Sequence, residues 1–501
     1  MSECKGLRKD QCLPPKCTYV NSALKYCRTA KNKRRALAQK TAPAPLAQKT
    51  APAPLAQKTA PTRKSPASAE KQRARTRIAK FIKKSTKFLN MVCADSGQCL
   101  AFGNKMHDIM DHFNGFSNFT YVVGELEELG NESINGFVRK IKYERNGYQA
   151  YSILKSSKDE LSDNLVYEYV VGIKFINRII QQTPCFMYTY GLYYYKSLME
   201  YLVVQDHING VSGKAILDTT IDLQKNIDYK KACEKSKFAC VLIQYLDQAE
   251  SFSDALSSDG TGNYIQYHLV YTLFILYHTL ARFCTKFTHY DLHGGNVLIF
   301  RPFQQKTLEY VYHLSNGSTV MFRTPFVPKI IDYGRCFFDN GTVSSKNVYD
   351  KICSVPECAH CGSNSGFTLL SPTPWNGITG QKKNESHDLR LVFNLSISIG
   401  FLLRRMKAKA SATYSKLDRV LTKVKYGVGQ AADEVRFGTV EDTHRHPKGN
   451  VIANVMDMYT ALRKIVTDPV VIQENKDHVV EEVAGQFHIY EDGRPMKFEP
   501  A

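Results

Sequence analysis

From residue 120 to about 410 the apolar positions fall into short alternating or continuous runs separated by polar breaks. Runs at 137–143, 148–154, 199–204 and 240–245 read as strands, being rich in β-branched and aromatic residues. A helix of roughly 160–182 interrupts them, and one long apolar helix spans 264–287. Strand-rich sequence with one helix, followed by helical sequence, reads as α+β, and two unequal lobes with a crevice between them would fit that order without being specified by it. The expected boundaries are a strand-rich lobe at 120–246, a helical lobe at 247–410 and a C-terminal extension at 411–501. A helical run around 451–466 is expected to join the helical lobe. The charged stretch QENKDHVVEEVAGQFHIYEDGRPMKF has few packing residues and is expected to wrap the surface.

Ahead of residue 120 the pattern changes. The motif LAQKTAPAP starts at Leu37, recurs at Leu46 and is cut short after a third start at Leu55. Two prolines per copy stop both helix and sheet, while Ala and Thr offer little surface to bury. Residues 36–68 therefore read as a disordered, extended basic linker. From Ala69 good helix formers return, with Ile78, Phe81, Ile82, Phe88 and Leu89 on roughly one face and Arg73, Arg75, Arg77, Lys80, Lys83, Lys84 and Lys87 around it. This predicts a basic amphipathic helix at 69–92. Docking to the folded domain, an anionic membrane surface and nucleic acid are its three open partners.

Charge sharpens that division. The 501 residues contain 67 Lys and Arg against 47 Asp and Glu, a formal net charge of +20. Residues 1–89 hold 23 of the basic residues and three acids (Glu3, Asp10 and Glu70), and the remainder holds 44 of each sign. The excess belongs wholly to the N-terminal region, which implies a polyanionic partner for 1–89: nucleic acid, an anionic lipid surface or an acidic protein. The run KNKRR at 31–35 is of the kind used for nuclear entry. Fourteen cysteines follow no regular pairing pattern, and the opening MSECKGLRKDQC lacks the apolar run of a secretory leader. An intracellular, reducing compartment with mostly free thiols is expected. No transmembrane segment is expected either, since the most apolar stretch, 270–283, is short and carries His278 and Arg282.

The densest chemistry follows the long helix, as His289-Tyr290-Asp291-Leu292-His293-Gly294-Gly295-Asn296. A second cluster, Ile330-Ile331-Asp332-Tyr333-Gly334, places an acid after two apolar strand residues. Upstream, Tyr151-Ser152-Ile153-Leu154-Lys155 ends a strand on a lysine. Glu168 lies inside the apolar run Leu165-Val166-Tyr167-Glu168-Tyr169-Val170-Val171, where an acid is costly unless paired. Glu160 is the alternative partner for Lys155, in a polar setting at the helix start. Residues 301–326 read as an inserted hairpin with an Asn-Gly turn.

In type and order these residues resemble the catalytic core of the protein kinase superfamily, over roughly 280 residues. The pattern His-x-Asp-Leu-x-x-x-Asn is that family's catalytic loop. The resemblance implies that Asp291 orients and deprotonates the acceptor hydroxyl, with His289 supporting the loop and His293 beside it. Asn296 and Asp332 would bind magnesium, and Lys155, held by Glu168, the α- and β-phosphates of ATP. Leu129-Gly130-Asn131-Glu132-Ser133-Ile134-Asn135-Gly136-Phe137-Val138 occupies the place of the glycine-rich loop, giving Gly130, Gly136 and Val138 as ATP-binding candidates. Backbone groups near Gln244, Tyr245 and Leu246 would contact adenine. Asp388, in His387-Asp388-Leu389-Arg390-Leu391, resembles the buried aspartate that anchors the catalytic loop.

The implied activity is transfer of the ATP γ-phosphoryl group to Ser or Thr of a protein substrate. Three departures bear on it. Tyr290 stands where an arginine is usual, His293 where serine/threonine kinases carry a lysine that touches the γ-phosphate, and no Ala-Pro-Glu closes the activation segment. The form H-x-D-L-H-x-G-N also resembles kinases of sugars, antibiotics or lipopolysaccharide, so a small-molecule kinase is one alternative. A pseudokinase or structural virion protein with a polyanion-binding tail is another.

Two cysteine clusters complete the picture. Residues 335–386 contain Cys353, Cys358, His360 and Cys361, soft ligands of the kind zinc uses, or else free thiols on a substrate-facing loop. Residues 1–35 carry Cys4, Cys12, Cys17 and Cys27. CLPPKCTYVNSALKYC resembles the two-cysteine adaptor segment attached to kinases of large insect-infecting DNA viruses, which together with the inserts implies kinship to kinases of iridovirus type in host cytoplasm or virion. A short cysteine-bearing peptide with no fold of its own is the competing reading.

Overall fold

The structure is a computed structural model describing residues 17–20, 26–29, 106–129, 136–157, 163–206, 212–218, 220–222, 238–352, 363–367, 376–379, 381–406, 410–424, 426 and 451–501. The linker repeats, the 69–92 helix, Glu160, Gly130 and the Cys353, Cys358, His360, Cys361 cluster lie outside the described residues. Two compact units divide the chain, Met1–Arg73 and Ala74–Ala501. In the first, β1 (Cys17–Val20) pairs antiparallel with β2 (Tyr26–Thr29), placing Tyr19 opposite Cys27.

The second unit is an α+β fold, a strand-rich part followed by a mainly helical one. Its strand-rich lobe opens on α1 (Met106–His112) and is built on β3 (Val122–Glu128), β4 (Gly136–Arg145) and β5 (Tyr148–Ser157). Helix α2 (Asp163–Val171) follows, continued by a π turn at Gly172–Ile176 and a 3-10 turn at Ile180–Gln182. Then come β6 (Thr189–Tyr194), α3 (Leu198–Gln205), α4 (Gly213–Leu217), β7 (Ile221–Asp222) and β8 (Ala239–Gln244). The strands form one antiparallel sheet in the order β3-β4-β5-β8-β6-β7. Alternation along β8 shows how it is held. Ala239, Val241 and Ile243 enter the core shared with α2, while Cys240 and Leu242 enter a second core with Tyr143 and Leu154. Ile109, Phe113, Phe116 and Phe119 belong to that second core, so the lobe begins at α1 and not at 120.

Residues 199–204 are helical, contrary to the strand expected from Leu202, Val203 and Val204. The Ser197 side chain accepts the Glu200 N–H, a helix N-cap, and Tyr201 and Val204 are buried three residues apart on one face. A local start signal outweighs β-branched composition here.

The second lobe surrounds one buried helix. After β9 (Glu250–Ser251) and α5 (Phe252–Ser258), a π turn at Tyr264–His268 leads into α6 (Leu269–Phe283), in which every residue but Arg282 is buried. A helix apolar on all sides must be central. Short strands then run from β10 (Phe287–Thr288) and β11 (Val297–Phe300) through β12 (Lys306–His313) and β13 (Thr319–Thr324) to β14 (Val327–Ile330) and β15 (Phe337–Phe338). Helix α7 (Ser345–Ile352) and the paired strands β16 (Ser363–Phe367) and β17 (Asn376–Thr379) precede α8 (Arg390–Met406), α9 (Ala412–Leu421), α10 (Val455–Val466) and α11 (Pro469–His478). The chain ends in β18 (Glu482–Tyr490) and β19 (Lys497–Pro500).

The hairpin expected at 301–326 is present as β12–β13, with Gly317 at φ 78° in its turn. The surface-wrapping role given to the C-terminal stretch is incorrect. Strand β18 pairs in parallel with β12 and antiparallel with β19, completing a four-stranded sheet β13-β12-β18-β19. Phe487 and Ile489 are fully buried in it, and the sheet packs on α6 through Tyr271–Phe322 (4.6 Å between ring centroids) and Phe274–Tyr312 (5.0 Å). The last strands are therefore part of this lobe's core. Among the described residues no helix is long and apolar enough to cross a membrane.

Candidate active site

The loop 289–296 lies between β10 and β11, and its shape is imposed from below. The Asp388 carboxylate, buried just ahead of α8, accepts the His289 N–H at 2.8 Å and the Tyr290 N–H at 3.0 Å. Burial lifts Asp388 to about 7, against the pull of those two donors. Tyr290 sits at φ 65°, in the left-handed region, and its hydroxyl donates to the Lys382 carbonyl at 2.7 Å. A non-glycine residue held this way is strained, and the anchored backbone on either side sustains it.

His289 ties the loop to the next strand. Its Nε2 lies 2.9 Å from the Ile331 carbonyl, and its Nδ1 accepts the Asp291 N–H at 3.3 Å. Those partners assign the proton to Nε2, and burial keeps the ring neutral by lowering its pKa. Asn296 closes the loop, donating from Nδ2 to the Asp291 carbonyl at 3.0 Å while its own carbonyl accepts the Ile331 N–H. Gly294 is sterically required, because a Cβ there would meet Ser253 Oγ at 2.2 Å. His293 Nδ1 accepts the Gly295 N–H at 3.1 Å, and burial lowers its pKa also.

Lys155 near the end of β5 reaches two acids. Its Nζ stands 2.8 Å from Glu168 Oε2 and 3.0 Å from Asp332 Oδ1. Glu168 is 2% exposed on α2, whereas Asp332 is 43% exposed. Burial works against Lys155's charge, but the two carboxylates outweigh it and hold the ammonium protonated. Burial raises Glu168, with Lys155 opposing; at Asp332 burial also pushes upward, but Lys155 prevails and its pKa is lowered. Asp332 is a second strained residue, at φ 67°. Tyr333 beside it is buried, its hydroxyl accepting the Met187 N–H at 3.0 Å and donating to the Ile330 carbonyl at 2.8 Å.

The remaining candidates line the strand-rich lobe. Val138 on β4 faces Lys155 in register, and Gly136 faces Ser157 so closely that a Cβ would lie 2.3 Å from the Ser156 carbonyl oxygen. The Gln244 N–H donates to the Tyr188 carbonyl at 2.8 Å and the Tyr245 N–H to the Tyr151 carbonyl at 3.3 Å. Both donors are thus committed to protein, and the Leu246 carbonyl accepts the Ala249 N–H at 3.3 Å.

Two residues given no role by the sequence reading converge on Asp291. Arg390 on α8 bonds Asp291 Oδ1 at 2.6 Å, and Arg335, one residue past Gly334, stands 3.4 Å from Oδ2. His293 Nε2 is 3.9 Å from Oδ1. A positional signal for both exists. Arg335 directly follows Asp332-Tyr333-Gly334, and Arg390 lies two residues past the anchor Asp388 that already touches the loop.

The donor set suits a hard cation. Asp332 keeps Oδ2 clear of Lys155, and Asn296 uses Nδ2 internally, which turns Oδ1 away from the Asp291 carbonyl. One carboxylate and one amide oxygen match magnesium shared with phosphate oxygens and water. Among the described residues no group of three or more His, Cys, Asp or Glu could hold a metal by itself.

No family model matches this chain, and no curated protein does. Among solved structures, a crystal structure of a kinase domain is similar with 13% identity and a TM-score of 0.25, over 46% of this chain and 56% of that one. The chain thus matches just over half the length of that kinase domain.

Proposed function

We propose that the chain transfers the γ-phosphoryl group of ATP to serine or threonine hydroxyls of proteins, with magnesium bound. The observation that carries this reading is the junction of Lys155, Glu168 and Asp332, together with Asp291 and Asn296 on a loop fixed by Asp388. In it, Lys155 orients the α- and β-phosphates, with Glu168 fixing the ammonium. Asp332 Oδ2 and Asn296 Oδ1 would hold the cation, which when bound would offset the negative charge of the phosphates. Asp291 orients the acceptor hydroxyl and takes its proton. Asp388 and His289 hold that geometry without touching substrate.

Purified protein with ATP labelled at the γ-position, magnesium and model protein acceptors tests the reading. Label should reach Ser or Thr and be lost in Asp291→Asn. Transfer to sugars or aminoglycosides alone would instead establish a small-molecule kinase, the alternative that H-x-D-L-H-x-G-N favours. Residues 1–89, with their surplus of 20 positive charges, would hold the enzyme near a polyanionic target and raise its effective concentration there.

A further inference from the structure

The transferring phosphoryl group in such a site gathers negative charge on its oxygens and needs a fixed cation beside it. At position 293, where serine/threonine kinases carry a lysine that touches the γ-phosphate, this chain has a histidine whose Nδ1 accepts the Gly295 N–H at 3.1 Å. Tyr290 supplies no charge, and Lys155 is engaged by Glu168 and Asp332.

Arg335 stands where the gap is. Its guanidinium lies 3.4 Å from Asp291 Oδ2, beside the acid assigned to the acceptor. The corner that carries it is rigid. The Cys336 N–H donates to the Tyr333 carbonyl at 3.2 Å, and the buried Tyr167 hydroxyl donates to the Cys336 carbonyl at 2.6 Å. Arg335 itself is 31% exposed, against 14% for Arg390. The two arginines hold Asp291 differently. Arg390 makes a short hydrogen bond to Oδ1, whereas Arg335 approaches Oδ2 only as a longer ion pair. Arg390 is thus the fixed partner, and Arg335 the one that can turn to another anion at little cost.

We propose that Arg335 is a catalytic residue that binds the γ-phosphoryl oxygens during transfer, with Arg390 positioning Asp291 so that Oδ2 is left for the acceptor. This rests on the phosphoryl-transfer reading given above. In the step, the acceptor oxygen forms a bond to the γ-phosphorus as the bond from that phosphorus to the β,γ-bridging oxygen breaks. ADP leaves with the electron pair, and the acceptor proton passes to Asp291. Arg335 neutralises charge on the equatorial oxygens and takes no proton.

The test is steady-state kinetics of the full chain with magnesium-ATP, for Arg335→Ala, Arg335→Lys and Asp291→Asn, with melting temperature measured alongside. Removing one such donor is expected to lower kcat about 100- to 1,000-fold, with KM for ATP changed less than about threefold. Lysine at 335, or guanidinium ion added to the alanine variant, should restore part of the loss. Wild-type kcat in Arg335→Ala, with Asp291→Asn inactive, would overturn the proposal and leave the transfer reading standing. A higher KM at unchanged kcat would overturn it also, as would a loss that follows melting temperature and that neither lysine nor guanidinium restores. Wild-type activity in Asp291→Asn would sink the transfer reading itself.

Discussion

Lys155 on β5 and Glu168 on α2 meet at 2.8 Å, with the lysine partly exposed and the glutamate almost wholly buried. The pair joins the sheet to the helix behind it, so its loss should register in both stability and activity. Lys155→Met leaves Glu168 without its cation, a cost of about 2 kcal/mol once the exposure of the lysine is allowed for. ATP use should fall roughly 100-fold or more through lost positioning. The double variant Lys155→Met, Glu168→Gln should recover stability relative to Lys155→Met alone while staying inactive. Denaturant titration of the four chains in that cycle checks the coupling.

Asp388 anchors two N–H groups, those of His289 and Tyr290. Asp388→Ala orphans both within a buried site, which costs about 2–4 kcal/mol. It should also release the strained Tyr290 backbone and lower kcat while leaving ATP affinity nearly unchanged. Asp388→Asn keeps one acceptor but turns an amide toward the other donor, and should be intermediate. Thermal melts with and without magnesium-ATP distinguish a loosened loop from a lost nucleotide site.

Acid should destabilise the α6 lobe through its buried histidines. Burial lowers His278 to about 3 and His268 to about 4. Both are neutral in the folded chain across a range where an unfolded histidine, near 6.5, takes up a proton. Their contribution is complete above about pH 6.5 and is lost progressively as pH falls toward 3–4. Melting temperature should drop over that window, and His278→Phe should flatten the slope. An unchanged slope in that variant would assign the acid sensitivity elsewhere.

Salt dependence tests the N-terminal region. A chain beginning near residue 90 loses the whole formal surplus of 20 positive charges. Full-length protein should bind DNA or heparin with affinity that falls steeply with salt, and the shortened chain should bind weakly at every salt concentration. Peptide phosphorylation should survive the truncation.

What was legible in the sequence was local. The loop 289–296 and the run 330–334 carry their chemistry in contiguous residues, so their resemblance to the kinase motifs marked them. Glu168 stood out as an acid within an apolar run, where only a partner justifies the burial, and Asp388 by its resemblance to the aspartate that anchors such a loop. The helix at 198–205 was missed because its start signal, the Ser197 cap, is weaker to the eye than three branched apolar residues. Strand β18 was misread for a different reason. Its polar positions face outward, and the partner that makes it a strand, β12, lies far away in sequence. Arg335 and Arg390 had no assigned role in the sequence, because only the fold brings both to one carboxylate.

The most direct measurement is the initial rate of label transfer from γ-labelled ATP to a protein acceptor, for the wild type, Asp291→Asn and Asp332→Asn at saturating magnesium. The account predicts phosphoserine or phosphothreonine from the wild type and a fall of roughly 1,000-fold or more in each variant, since either acid is needed for the same step. Equal labelling by all three proteins would contradict it.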